Sequence, residues 1–142
     1  MAETYPELVA TVLDAENARE LAGFYAELLG YGYQPGDEPP PAGDDDPKAT
    51  DWIVLRDRAG QPRLAIQYVD ELSRSTWPEP AVPQQLHLDL RVGSVDELRR
   101  QHDRAIGLGA TVLEDRTDDP VESIIVFADP AGHPFCILVG PG

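Results

Sequence analysis

The chain carries nearly the same passage twice. Ile53-Val54-Leu55-Arg56-Asp57-Arg58-Ala59-Gly60-Gln61-Pro62 reads against Ile125-Val126-Phe127-Ala128-Asp129-Pro130-Ala131-Gly132-His133-Pro134, with Asp-x-Ala-Gly-x-Pro in both. Upstream, Asn17-Ala18-Arg19-Glu20-Leu21 corresponds to Ser94-Val95-Asp96-Glu97-Leu98. A motif order that recurs across about half the chain predicts two similar structural units facing each other, with any site between them.

Local patterns fill in each unit. Leu8 to Leu13 is an apolar run of strand length. Asn17 offers an N-cap with Glu20 at the N3 position, and Leu21, Phe24, Tyr25, Leu28 and Leu29 share one face of the helix that follows. Gly30 is placed to stop it. Tyr31 to Gln34 reads as a returning strand. Residues 35–50 hold Pro35, Pro39, Pro40, Pro41 and Pro47 beside Asp44-Asp45-Asp46, which no strand ladder survives, so a mobile loop is expected. Trp52 to Arg56 and Arg63 to Val69 read as strands joined through the Asp57–Pro62 turn. Residues 70–84 include Trp77-Pro78-Glu79-Pro80 and Pro83, a stiff connector.

The second unit opens on clean alternation. Leu86, Leu88, Leu90 and Val92 point one way, and His87, Asp89 and Arg91 the other. Ser94 and Glu97 form a capping box for a helix from about Val95 to Leu108, whose inner face is expected to use Val95, Leu98, Ala105 and Ile106, with His102 beside that stripe and Gly109 at its end. Thr111 to Glu114, Ser123 to Ala128 and Phe135 to Val139 follow as strands. Each half therefore reads β-α-β-β-β, an α+β architecture within a single domain of residues 1–142: module one at about 8–69, the connector at 70–84 and module two at about 85–140.

Composition narrows the function classes. A formal net charge of −15 disfavours nucleic acid and anionic membranes, both of which need Lys and Arg, and favours a cationic or neutral partner. Cys136, the single cysteine, allows no internal disulfide. No apolar run approaches the roughly 20 residues of a membrane span, and no basic region with an apolar stretch opens the chain, so a cytoplasmic location is expected. Ser-His-Asp groupings and Gly-rich phosphate loops are missing.

Three passages carry a resemblance to a known family. Ala22-Gly23-Phe24-Tyr25 with Leu28-Leu29-Gly30, Gln85-Leu86-His87-Leu88-Asp89-Leu90, and Asp129-Pro130-Ala131-Gly132-His133-Pro134-Phe135 resemble the first helix, fifth strand and last hairpin of the vicinal oxygen chelate superfamily, which includes glyoxalase I, extradiol dioxygenases and bleomycin-resistance proteins. The resemblance implies two β-α-β-β-β modules around a shared cavity, and a homodimer. In metal-using members it implies a divalent ion held by one ligand, His or Glu as a rule, from each of strands one, four, five and eight. Carried over by position, the fifth-strand ligand is His87, the first-strand position is Ala10, the eighth-strand position is Cys136, and the fourth is best matched by Gln67. The motif repeat instead pairs Cys136 with Leu64, so either the first hairpin carries a bulge or extra length, or Gln67 faces away from the cavity. Ala10 cannot ligate, a lone thiol among apolar residues is more often a small hydrophobe, and neutral Gln is a poor substitute for a carboxylate. No firmly bound metal is therefore expected, with a divalent ion on His87 and Gln67 as the exception.

His87, Asp89 and Arg91 form either a ligand anchor, with His87 as the candidate catalytic base, or a solvated face with an i, i+2 ion pair. Trp52 and Trp77 are candidates for flat contacts with a ligand, Trp77 as part of a lid. His133 is explained by its turn and His102 by helix packing. Three functions remain open: binding or sequestering a small organic molecule without metal, metal-dependent lyase, isomerase or dioxygenase chemistry, and a catalytically silent dimeric regulatory module.

Overall fold

The structure, a computed structural model, describes residues 2–140. The chain divides between Val69 and Asp70 into two compact units, each with one α-helix and one four-stranded mixed sheet among the described residues, the first also with a short 3-10 turn at Pro47–Thr50. In the first, β1 (Thr11–Ala15), α1 (Ala18–Leu29), β2 (Gly32–Tyr33), β3 (Trp52–Arg56) and β4 (Pro62–Tyr68) give the sheet order β1-β4-β3-β2. In the second, β5 (Leu88–Val92), α2 (Val95–Leu108), β6 (Thr111–Arg116), β7 (Ile124–Ala128) and β8 (Pro134–Val139) give β5-β8-β7-β6. The first strand of each unit pairs in parallel with the last, and every other pair is antiparallel. Both units are thus β-α-β-β-β modules, and the fold is α+β.

The repeated motifs fold alike because the same atoms close the same rings. Asn17 Oδ1 accepts from the Glu20 amide at 3.1 Å and Ser94 Oγ from the Glu97 amide at 3.1 Å, each supplying an acceptor to a donor the helix leaves open. Gly30 and Gly109 end the helices in the left-handed region, at φ 68° and 118°. In both hairpins the aspartate of Asp-x-Ala-Gly-x-Pro accepts from two backbone amides, Asp57 from Ala59 (2.9 Å) and Gln61 (3.0 Å), and Asp129 from Ala131 (2.9 Å) and His133 (3.0 Å).

Each helix covers one face of its own sheet. Leu21, Phe24, Tyr25 and Leu28 are buried with Leu13, Ile53, Leu55, Leu64 and Ile66, the first module's core. Burial of side chains this size stabilises by about 1.5–3 kcal/mol each before entropy is counted. In the second module Leu98 and Ala105 are buried with Ile125, Phe127, Phe135 and Ile137, and Phe127 stacks on Phe135 at a centroid distance of 5.0 Å.

Several expected boundaries move. The first strand begins at Thr11 rather than Leu8, and Tyr5, Leu8 and Val9 are exposed, because β4 offers partners only from Leu64, opposite Thr11. Leu86 likewise precedes β5 and is exposed. Ile106 is also exposed, and the inner stripe of α2 runs Leu98, His102, Ala105, with the His102 ring 6.1 Å from that of Phe127. The 35–50 loop, expected to be mobile, is tied down. Buried Asp37 accepts from the Val54 amide at 2.9 Å and pairs with Lys48 at 3.2 Å. Arg19 grips Asp46 through two bonds of 2.7 and 2.9 Å and donates to the Asp37 carbonyl at 2.7 Å. The bidentate bond raises the Arg19 pKa and lowers that of Asp46. The connector is anchored too, as Arg74 donates to the Pro130 carbonyl at 2.8 Å.

Candidate functional site

Strand register decides which side chains share a face. Residues directly opposite one another in a sheet project to the same side. In the second module Asp89 lies opposite Cys136, Cys136 opposite Val126, and Val126 opposite Glu114. One row thus crosses all four strands on the side away from α2. The next row on that side is Arg91, Leu138, Ile124 and Arg116. His87, just ahead of β5, joins the first row, its Nε2 3.3 Å from Asp89 Oδ1. The first module repeats the geometry without the chemistry: Val12 lies opposite Ala65 and Ala65 opposite Val54, three apolar side chains in the corresponding row. Its neighbouring row is Asp14, Gln67 and Trp52.

That register locates Gln67. A bulge at Leu55/Arg56 absorbs one residue in the first hairpin, so Cys136 corresponds to Ala65 and not to Leu64. Gln67, two residues on, faces away from α1 with Trp52 as its direct cross-strand partner. Trp77 is half-buried in the connector of the second unit. His87, Asp89 and Arg91 therefore share one face in the second module, while Gln67 and Trp52 share one in the first.

Reading Cys136 as a small buried hydrophobe describes its burial and misses its neighbours. The residue is only 7 % exposed, yet His87, Asp89 and Cys136 present one nitrogen, one oxygen and one sulfur all within 4.8 Å of one another. The thiol pKa is pushed up to about 11, first by burial and then by the Asp89 carboxylate, which repels a thiolate and accepts a bond from the S–H group, with Glu122 and Glu114 adding to the field. A thiol held protonated is a poor nucleophile.

The four positions that the resemblance assigns to a divalent ion do not fit a hard one. Ala10 has no donor and precedes β1, Gln67 is a neutral amide, and Cys136 offers sulfur in place of carboxylate. Elsewhere in the second unit, a groove of about 710 Å³ is lined by Arg99, His102, Asp103 and residues 115–119. Its charges are spent on one another, Arg99 with Asp118 at 3.7 Å and Arg116 with Asp119 at 3.1 Å, which leaves the His87 row as the better candidate.

Known structures share this fold over almost their whole length. A glyoxalase/bleomycin resistance protein/dioxygenase family enzyme from Burkholderia phytofirmans PsJN is similar with a TM-score of 0.68 at 14 % identity, covering 94 % of this chain and 98 % of that one. A mutant of the fosfomycin resistance protein FosX from Listeria monocytogenes, complexed with Mn(II) and 1S,2S-dihydroxypropylphosphonic acid, gives 0.66 at 18 % identity, covering 96 % and 94 %. A hypothetical protein, SA1046 from S. aureus, gives 0.64 at 15 % identity, covering 97 % and 100 %. At such identities the likeness concerns the fold alone. No curated protein matches the sequence. Among the described residues no helix is long and apolar enough to cross a membrane. The Glyoxalase-like domain family matches residues 10–138, nearly the full span of both modules, and with the twice-repeated β-α-β-β-β order this places the chain in that family, within the vicinal oxygen chelate superfamily.

Proposed function

We propose that this protein binds a small organic molecule on the face of the second module that carries His87, Asp89 and Arg91. The observation behind this reading is the asymmetry of the two repeats. The fold is duplicated, but ionisable groups occupy the Asp89–Cys136–Val126–Glu114 row while Val12, Ala65 and Val54 occupy its counterpart. A duplicated scaffold with ionisable groups in this row of one copy only suits asymmetric recognition, with Trp77 of the same unit as a flat contact. The net charge of −15 and the carboxylates of Asp89 and Glu114 favour a neutral or cationic ligand. Sequestration without catalysis, in the manner of the bleomycin-resistance proteins, is the reading that asks least of these residues.

Tryptophan fluorescence should report the ligand. A compound that quenches the wild-type signal is expected to lose at least tenfold in affinity to His87→Ala, the loss of a desolvated hydrogen bond. Equal binding to both proteins would move the site off this face. The active form is proposed to be a twofold homodimer in the cytoplasm, for which light scattering should give twice 15.5 kDa at micromolar concentration. A mass of one chain would refute the dimer.

One observation favours a second reading, metal-assisted chemistry. FosX is crystallised with Mn(II) and a diol phosphonate, and here three donor atoms of different type converge within 4.8 Å.

A further inference from the structure

Of the four positions that the family's ion would use, His87 keeps its donor and Cys136 substitutes sulfur, while Asp89 adds a donor from outside that scheme. We propose that His87, Asp89 and Cys136 form a binding site for a soft or borderline cation of the Zn²⁺ type, contained within the second module and defined by its sulfur ligand. The inference rests on the reading of this face as the functional one, but not on any organic ligand.

Three features carry it. The first is convergence. Two donors on one tetrahedral ion, at bond lengths of roughly 2.0–2.3 Å, stand roughly 3.3–3.8 Å apart. The His87 Nε2 to Asp89 Oδ1 separation is 3.3 Å, and all three donor atoms lie within 4.8 Å, so a small closure of exposed side chains completes the set. His87 and Asp89 are 43 % and 60 % exposed and free to make that adjustment around Cys136, which is fixed in the central strand β8. The second is donor type. Imidazole, carboxylate and thiolate are the three ligand classes that zinc accepts together, whereas Mg²⁺, Ca²⁺ and Mn²⁺ prefer oxygen. The third is charge. A carboxylate and a thiolate neutralise a dication, and Glu114, in the same cross-strand row, adds to the negative field.

Asp89 is what separates this set from the one that the resemblance implies. It comes from the same strand edge as His87, two residues along, at a position that contributes no ligand in the four-strand scheme. The site needs nothing from Ala10 or Gln67. Binding forms a metal–sulfur bond as the Cys136 thiol releases its proton to solvent, with no change of oxidation state.

The test uses the purified chain and metal ions alone. Titration with Co²⁺, as a spectroscopic stand-in for Zn²⁺, should produce a thiolate-to-cobalt charge-transfer band in the near ultraviolet. Zn²⁺ should displace the cobalt, and Mn²⁺ should bind at least about a hundredfold more weakly than Zn²⁺. Cys136→Ala should abolish the band. Asp89→Asn, at an exposed position that leaves the core intact, should weaken Zn²⁺ binding at least about tenfold with an unchanged circular dichroism spectrum. Cobalt binding without the band, Mn²⁺ binding as tight as Zn²⁺, full affinity in Asp89→Asn, or no binding at all would each overturn the proposal. Because no organic compound enters these titrations, such a failure leaves the fluorescence assay as a separate test of the ligand face.

Discussion

Phe135→Ala should cost about 3–5 kcal/mol of stability, the largest effect expected of any single truncation in the second module. Phe135 is fully buried in β8, between Leu88 of β5 and Phe127 of β7, and its ring lies nearly parallel to that of Phe127, 12° between planes at 5.0 Å. Alanine removes that stack and leaves a cavity under α2, since β8 is hydrogen-bonded to a strand on each side and cannot shift to fill it. Guanidinium denaturation should show a much lower midpoint with little change in slope. Phe135→Leu, which keeps most of the volume, should recover more than half of the loss. A loss below about 1 kcal/mol for the alanine variant would mean that the two aromatic rings are not the centre of this core.

Asp129→Ala should cost about 3 kcal/mol, well beyond the average polar substitution. The Asp129 side chain accepts from the Ala131 and His133 amides while the residue is 1 % exposed, so removing it strands donors that water reaches poorly. The repeat supplies the control. Asp57 makes the equivalent two bonds, but its side chain is 23 % exposed, and water can take over its role. Asp57→Ala should therefore cost only about 1 kcal/mol. Denaturation of the two variants side by side checks the ordering. Equal losses would show that burial does not set the value of this turn.

What the sequence disclosed follows from how local the determining interactions are. The caps at Asn17 and Ser94, the stops at Gly30 and Gly109 and the two aspartate turns each close within five residues, and all were legible as motifs. The start of β1 was not, because apolar character continues back to Leu8 while the strand exists only where β4 pairs with it. Nor was the order in the 35–50 loop, which depends on Arg19 reaching Asp46 across 27 positions and on the burial of Asp37. At the candidate site, alternation correctly grouped His87, Asp89 and Arg91. Cys136 stayed out of that group because its place beside Asp89 is a matter of parallel pairing between β5 and β8, which periodicity along one strand does not encode. Gln67 was ambiguous for the same kind of reason: a single extra residue in a hairpin reverses every assignment of face beyond it.

The bulge at Leu55/Arg56 has a use in protein design. Once it is counted, Ala10, Val12 and Ala65 occupy in the first module the places that His87, Asp89 and Cys136 occupy in the second. All three are small or medium apolar residues, and none is part of the hairpin turn or of a helix cap. A designer who aligned the repeats by motif alone would graft the cysteine onto Leu64, under α1, and disrupt the core. Aligned by register, the triple substitution Ala10→His, Val12→Asp and Ala65→Cys places the same trio on the side of the other sheet that faces away from α1. One chain would then offer two copies of the same chemistry on a twice-used backbone.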